Sequence, residues 1–137
     1  MNWKKEIDEM TQRRKLALGQ GGDQAVAKHH AKGRLTIRER IDKLIDQNTF
    51  EEIGPIAGAA NYDGNGNLES FDPANFVLGF GKVSGRRIVV GGEDFTMRGS
   101  SPSPAGLRKS VYAEERAIQY KLPLVRRHDG SGVSVGG

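Results

Sequence analysis

Between residues 76 and 95 the chain reads Phe76-Val77-Leu78-Gly79-Phe80-Gly81-Lys82-Val83, then Ser84-Gly85-Arg86, then Arg87-Ile88-Val89-Val90-Gly91-Gly92 and Asp94-Phe95. The first run is mostly apolar, the second is β-branched and buried in character, and a glycine turn separates them. That pattern predicts an antiparallel hairpin of strands 76–83 and 87–95, with Gly85 at a positive-φ position. Gly79, Gly81 and Gly85 lack the spacing of a dinucleotide fingerprint, and no helix follows the last of them, so close backbone packing in a sheet explains them. After the strand ends at Asp94-Phe95-Thr96-Met97 comes a loop of small residues, Arg98-Gly99-Ser100-Ser101-Pro102-Ser103. A helix follows over 104–120, with Leu107, Val111 and Ile118 on one face and Ala113 and Ala117 close by. Leu122-Pro123 ends it and Leu124-Val125 begins another strand. The chain closes on Asp129-Gly130-Ser131-Gly132-Val133-Ser134-Val135-Gly136-Gly137, a glycine-rich turn where α/β proteins place ligand groups. Hairpin, helix, strand and glycine loop make an α/β design.

The first third reads differently. Trp3, Ile7 and Met10 repeat at i, i+4, i+7 within a helix over 3–18, which the glycines at 19–22 break. Asp23 is a candidate cap for a second short helix to about Ala31. Thr36 and Glu39 have capping-box spacing, ahead of an apolar stripe of Ile37, Ile41, Leu44 and Ile45 that should end near 46–48. These helices form an amphipathic arm whose partner surface lies downstream or on another chain. Phe50-Glu51-Glu52-Ile53-Gly54 reads as a short edge strand. Residues 61–67 read as a surface loop, and Asp72-Pro73 as a further break. Asp63 and Asn65 hint at a calcium loop, but Ala74 stands where the twelfth-position Glu is needed. His29 and His30 invite a metal reading, yet adjacent helix positions diverge by about 100°, so the pair cannot chelate one ion from one face.

With 137 residues and 19 glycines the chain suits one domain or part of a larger one. Zero cysteines exclude disulfides, thiolate zinc sites and cysteine nucleophiles. No apolar run approaches the ~18 residues of a membrane span. The start, Met1-Asn2-Trp3-Lys4-Lys5-Glu6, reads as neither a signal nor a transit peptide. A net charge of +4 raises nucleic-acid binding, but 21 basic residues stand against 17 acidic ones. The basic clusters, Arg13-Arg14-Lys15, Arg86-Arg87 and Arg126-Arg127, fall short of tracts of about five to eight. A phosphate-bearing small anion explains the balance equally well. A Gly/Ser loop after a strand offers backbone amides for phosphate or for an oxyanion, and small side chains let a ligand approach closely. No Walker lysine follows Gly132, and no histidine stands in a motif that would activate Ser131 or Ser134. On spacing alone, either loop is more often a plain turn.

Lys32-Gly33-Arg34-Leu35-Thr36-Ile37-Arg38-Glu39-Arg40-Ile41, then Leu44-Ile45-Asp46 and Phe50-Glu51-Glu52-Ile53-Gly54, closely resemble the start of the carboxyltransferase (β) subunit of biotin-dependent acyl-CoA carboxylases of the propionyl-, methylcrotonyl- and acetyl-CoA type. Gly79-Phe80-Gly81-Lys82-Val83-Ser84-Gly85-Arg86, Val89-Val90, Glu93-Asp94-Phe95-Thr96, Gly99-Ser100-Ser101, Lys109, Leu122-Pro123-Leu124-Val125 and Asp129-Gly130-Ser131-Gly132 continue the resemblance in order, over residues 28–137. At the loop many relatives read Asp-Ser-Gly-Gly-Ala-Arg instead, and they are mainly apolar where this chain has Arg126-Arg127-His128.

The resemblance implies a partial crotonase-like fold of ββα units (49–137) behind an N-terminal helical arm (1–48). It implies transfer of a carboxyl group from carboxybiotin to the α-carbon of an acyl-CoA, with no side-chain nucleophile and no metal. Gly130, Ser131, Gly132 and Val133 would supply a backbone oxyanion hole for the thioester, and Arg98, Gly99, Ser100 and Ser101 would line the CoA side. Implied partners are acyl-CoA, a biotin carboxyl carrier, a biotin carboxylase subunit and further copies in a hexamer, without nucleic acid or membrane. The implied location is cytoplasmic in a bacterium, or else the mitochondrial matrix. Family subunits are several times longer, so these residues alone should not turn over. Two other readings stay open: an acyl-CoA decarboxylase subunit of a sodium pump, and a short CoA- or partner-binding protein without chemistry.

Overall fold

The computed structural model describes residues 2–130. Four helices, α1 (Lys4–Leu18), α2 (Asp23–His30), α3 (Ile37–Leu44) and α4 (Pro104–Tyr120), accompany six strands. The strands are β1 (Glu51–Glu52), β2 (Gly58–Tyr62), β3 (Leu68–Pro73), β4 (Phe76–Val83), β5 (Arg86–Glu93) and β6 (Leu124–Arg127). The main sheet has the order β1-β4-β5-β6. β4 and β5 form the expected hairpin, in register from Phe76↔Glu93 to Val83↔Arg86. Ser84 and Gly85 turn it with φ of 50° and 78°, and both their amides donate to the Asp46 carboxylate, at 2.9 and 2.7 Å. β1 is the predicted edge strand, antiparallel to β4. β6 lies parallel to β5 after the α4 crossover.

Both faces of the sheet are covered. On one, Ile37, Ile41 and Ile45 pack against Val77, Ile88 and Val90. On the other, Ala113 and Ala117 of α4 meet Phe76, Leu78 and Val89. A Cβ at Gly81 would lie 2.9 Å from Ile45 Cγ2, so the glycine is what lets this arm segment lie flat on the sheet. Thr36 caps α3 through the predicted capping box: its hydroxyl accepts from the Glu39 amide at 3.4 Å, while Glu39 Oε2 accepts from the Thr36 amide at 2.7 Å. Among the described residues no helix is long and apolar enough to cross a membrane.

Several expectations are corrected. α3 stops at Leu44, before 46–48, because Ile45 is already extended (φ −94°, ψ 160°) and frees Asp46 to hold the Ser84–Gly85 turn. Gly22, with φ 91°, occupies the N-cap position of α2, which ends at His30; Asp23 is its first residue and caps nothing with its side chain. The stretch 61–67 is only partly loop. Asn61 and Tyr62 belong to β2, which pairs with β3, and Asp63 closes the tip by accepting from the Asn65 and Asn67 amides at 2.9 and 2.8 Å. β5 ends at Glu93, short of the expected 95: the Asp94 amide still donates in register to the Asn75 carbonyl at 2.9 Å, and the chain then turns, with the Met97 amide donating to the Asp94 carbonyl at 3.2 Å. The predicted apolar face of α4 points outward: Leu107, Val111 and Ile118 are 57%, 50% and 78% exposed. Its buried side is Gly106, Lys109, Ala113 and Ala117, small enough to bring the helix close to the sheet. Trp3, Ile7 and Met10 are also exposed; α1 instead docks through the Arg13 guanidinium, 5.3 Å from the Phe71 ring centroid.

Candidate functional site

Parallel strands carry their C-terminal ends to one edge of the sheet, and segments leaving that edge are where α/β proteins build sites. Here β5 and β6 run parallel from Val89↔Leu124 to Gly92↔Arg127. β5 leads into Asp94–Ser101 and β6 into His128-Asp129-Gly130, so the two predicted segments leave the same edge. The ladder stops at Arg127, and a Cβ built on Gly130 meets no atom within 4 Å. The head of the glycine loop is thus clear of strand pairing and open. Ser131, Gly132 and Val133 lie outside the described residues.

The segment after β5 is tightly tied. Asp94 is buried, and its Oδ1 accepts from the Thr96 amide at 2.9 Å and from the Thr96 hydroxyl at 2.6 Å. Burial pushes its carboxyl above the usual range, against the Thr96 hydrogen bonds and the charges of Arg38 and His29. Arg98, Gly99 and Ser100 follow in a turn with three successive positive φ angles, 53°, 58° and 65°. For arginine and serine that is strained backbone of the kind concentrated at ligand sites. The Ser100 and Ser101 amides donate within the turn, to the carbonyls of Met97 and Arg98, both at 3.1 Å. The turn therefore offers side chains more than those two amides. Arg98 is exposed and pairs with Asp72, whereas the Ser100 hydroxyl is buried with no hydrogen-bond partner among the described residues. A buried polar group without a partner is costly, and an ordered water is its ordinary partner.

Asn75, which sequence reasoning missed, holds the far end of this loop. Its side chain is buried; Nδ2 donates to the Ser101 carbonyl at 2.6 Å, and Oδ1 accepts from the Ser103 amide and hydroxyl at 3.2 and 2.9 Å. The Ser103 hydroxyl in turn accepts from the Gly106 amide at 3.0 Å, capping α4. A Cβ on Gly106 would fall 2.2 Å from Asn75 Oδ1. A lone Asn ahead of a strand carries no sequence signal; only its place between strand and helix gives it the role.

The arm closes the site from its other side. The Gly21 amide donates to the Thr96 hydroxyl at 3.0 Å. The buried His29 ring stands 5.5 Å from Phe95, over which the Arg34 guanidinium also sits, at 5.4 Å. The two histidines part as adjacent helix positions must: His29 Nε2 is 3.1 Å from the Leu35 carbonyl, His30 Nε2 2.9 Å from Glu39. Because a carbonyl only accepts, His29 Nε2 carries a hydrogen. A cleft of about 290 Å³ between α2 and the post-β5 segment is lined by Lys28, Lys32, Phe95 and Gly99 among others. Lysine ammonium groups around an aromatic floor suit a ligand with phosphates and a flat ring. Arg126 ceases to be anomalous in β6, which is an edge strand among the described residues: it bonds Glu114 at 2.9 Å and Ser110 at 2.6 Å on α4.

Comparison with known proteins places this architecture. Residues 28–136 match the model of the carboxyl transferase domain. The chain is 30% identical over 135 residues to the carboxyltransferase subunit of propionyl-CoA carboxylase from Haloferax mediterranei, spanning 98% of this chain and 26% of that protein. It is 35% identical over 132 residues to the biotin-dependent acetyl-/propionyl-coenzyme A carboxylase beta5 subunit of Mycobacterium tuberculosis, spanning 95% of this chain and 24% of that one. Among solved structures, the transcarboxylase 12S hexamer core superposes with a TM-score of 0.80 at 24% identity, over 98% of this chain and 26% of that chain. A single-chain, multi-domain long-chain acyl-CoA carboxylase superposes with a TM-score of 0.74 at 28% identity, over 96% of this chain and 14% of that chain. The chain thus spans about a quarter of the length of the relatives it matches. The shared architecture is part of a crotonase-like fold, as the resemblance implies.

Proposed function

The chain belongs to the carboxyl transferase domain family, and from that premise we propose that it is the N-terminal portion of the carboxyltransferase subunit of a biotin-dependent acyl-CoA carboxylase. The observation that carries the reading is the open head of the glycine loop at Gly130, on the same sheet edge as the strained turn at Arg98, Gly99 and Ser100. Loss of the α-proton of an acyl thioester turns its carbonyl oxygen into an enolate oxygen. Backbone N–H groups fixed where that charge develops lower the barrier without themselves reacting, and each such donor is worth about 10²–10³ in rate. In this reading the Gly130–Val133 segment holds the thioester oxygen. Arg98 to Ser101 line the CoA side, with the exposed Arg98 guanidinium as the side-chain group available to a ligand. The lysine-lined cleft beside Phe95 takes a phosphate-bearing part of the same ligand.

Carboxybiotin, the carboxyl donor delivered on a carrier, supplies CO₂ and a basic ureido nitrogen to the reaction. Among the described residues none is assigned to it, so what this chain contributes is acyl-CoA binding and orientation. Partners that fit are a biotin carboxyl carrier, a biotin carboxylase subunit and further copies of the full subunit, in keeping with the hexameric assembly of transcarboxylase 12S.

Isothermal titration of the chain with propionyl-CoA, acetyl-CoA and free CoA tests the reading, together with a coupled carboxybiotin assay. Saturable binding of acyl-CoA with no turnover is the expected result. Absence of any CoA or acyl-CoA binding removes the reading, and appreciable turnover refutes the view that the remaining subunit length is required.

A further inference from the structure

Edge strand β6 is short and leaves its ladder at Arg127, yet the segment that follows has to be fixed if Gly130 is to present an amide in a set direction. Two side-chain ties hold it among the described residues. His128 Nδ1 lies 3.3 Å from Glu93 Oε2, but the His128 side chain is 67% exposed. Asp129 is better sheltered: its side chain is 17% exposed, and Oδ2 lies 3.0 Å from Arg40 Nη2, whose side chain is 21% exposed. His29 Nε2 is 3.7 Å from the same oxygen, but its hydrogen is directed to the Leu35 carbonyl at 3.1 Å. Arg40 is therefore the cation that holds Asp129.

Arg40 stands on one of the best-fixed elements of the chain. It follows the Thr36–Glu39 capping box by one residue, and its neighbours on α3, Ile37 and Ile41, are buried against β4 and β5. We propose that Arg40 is a positioning residue for Gly130, the first residue of the proposed thioester-binding segment. Anchored on α3, it grips Asp129 and so sets the direction of the Gly130 amide. The helical arm thereby orients that amide without touching substrate. This rests on the proposed assignment of Gly130–Val133 to the thioester oxygen. Displacement of such a donor by about 1 Å is enough for a large loss of function.

The test compares wild type with R40A, R40K, D129N and R40A/D129N. Three quantities are read: the thermal midpoint, the dissociation constants for propionyl-CoA and for free CoA, and the ¹⁵N order parameter of the Gly130 amide. The expected result for R40A and D129N is a lower Gly130 order parameter and about tenfold weaker propionyl-CoA binding. Free CoA should change less than about twofold, because it lacks the acyl oxygen. The double variant should be no worse than either single one, since each breaks the same pair. R40K should recover part of the loss. A merely structural role would lower both affinities together. An unchanged Gly130 order parameter in both R40A and D129N overturns the proposal, even where one of them folds poorly. Failure of wild type to prefer propionyl-CoA over CoA instead removes the loop assignment on which the proposal rests, while the Gly130 order parameter still decides whether Arg40 holds the segment.

Discussion

Lys109 gives a sharp electrostatic prediction. It sits on the sheet-facing side of α4, 9% exposed, with Nζ donating to the Gly54 carbonyl at 3.1 Å. Burial lowers its pKa from 10.5 to about 8, with the Glu52 charge opposing the shift and Arg38 adding to it. The sign follows from proton counting. Between these two values the unfolded chain still holds the proton that the folded one has released, so stability rises with pH. From pH 7 to pH 9.5 the gain from this one group amounts to about 2 kcal/mol, at about 1.4 kcal/mol per pH unit once the folded amine is mostly neutral. The K109M variant cannot show it. Urea unfolding of both proteins across that range should therefore give a wild-type minus variant difference that climbs by about 2 kcal/mol toward alkaline pH. Parallel curves would mean that the ammonium is not desolvated in the folded chain, and the reasoning fails.

Other expectations follow from single contacts. T36A removes the acceptor for the Glu39 amide and should cost about 1 kcal/mol in urea unfolding. I41A empties a site 2% exposed under the sheet and should cost about 2–5 kcal/mol. G106A sets helix propensity, which favours alanine by about 1 kcal/mol, against a Cβ 2.2 Å from Asn75 Oδ1. The contact should win and the thermal midpoint should fall; a rise would show that Asn75 is easily moved. Asp94 has a raised folded pKa, so its contribution is present at acid pH and is lost as pH rises through that value. D94N should flatten this part of the pH–stability profile, since an amide oxygen can still accept from Thr96.

What could be read in the sequence was what local chemistry dictates. Thr36 with Glu39, the Ser84–Gly85 turn, and a helix that Pro104 opens and Leu122-Pro123 closes are each fixed by short-range hydrogen bonding or backbone restriction. What depends on distant neighbours was not legible. The apolar residues of α4 suggested the wrong face, because the sheet selects for small side chains and buries Lys109 beside them. β2 was hidden because Gly58-Ala59-Ala60-Asn61 lacks β-branched residues, and only pairing with β3 makes it a strand. At the site, the glycine loop and the turn at Arg98 were visible as composition. Asn75 and Arg40 needed the assembled chain, since their partners stand tens of positions away, and the positive φ angles at Arg98 and Ser100 follow from no preference of those residue types.

The central claim is that main-chain amides at the end of β6, not a reactive side chain, receive the thioester. Amide chemical shifts of the chain during titration with propionyl-CoA measure this most directly. The account predicts the largest changes at residues 130–133, absent when CoA without an acyl group is added, with smaller changes shared by both ligands at Arg98 to Ser101. Saturable propionyl-CoA binding that leaves the 130–133 amides where they were would contradict it.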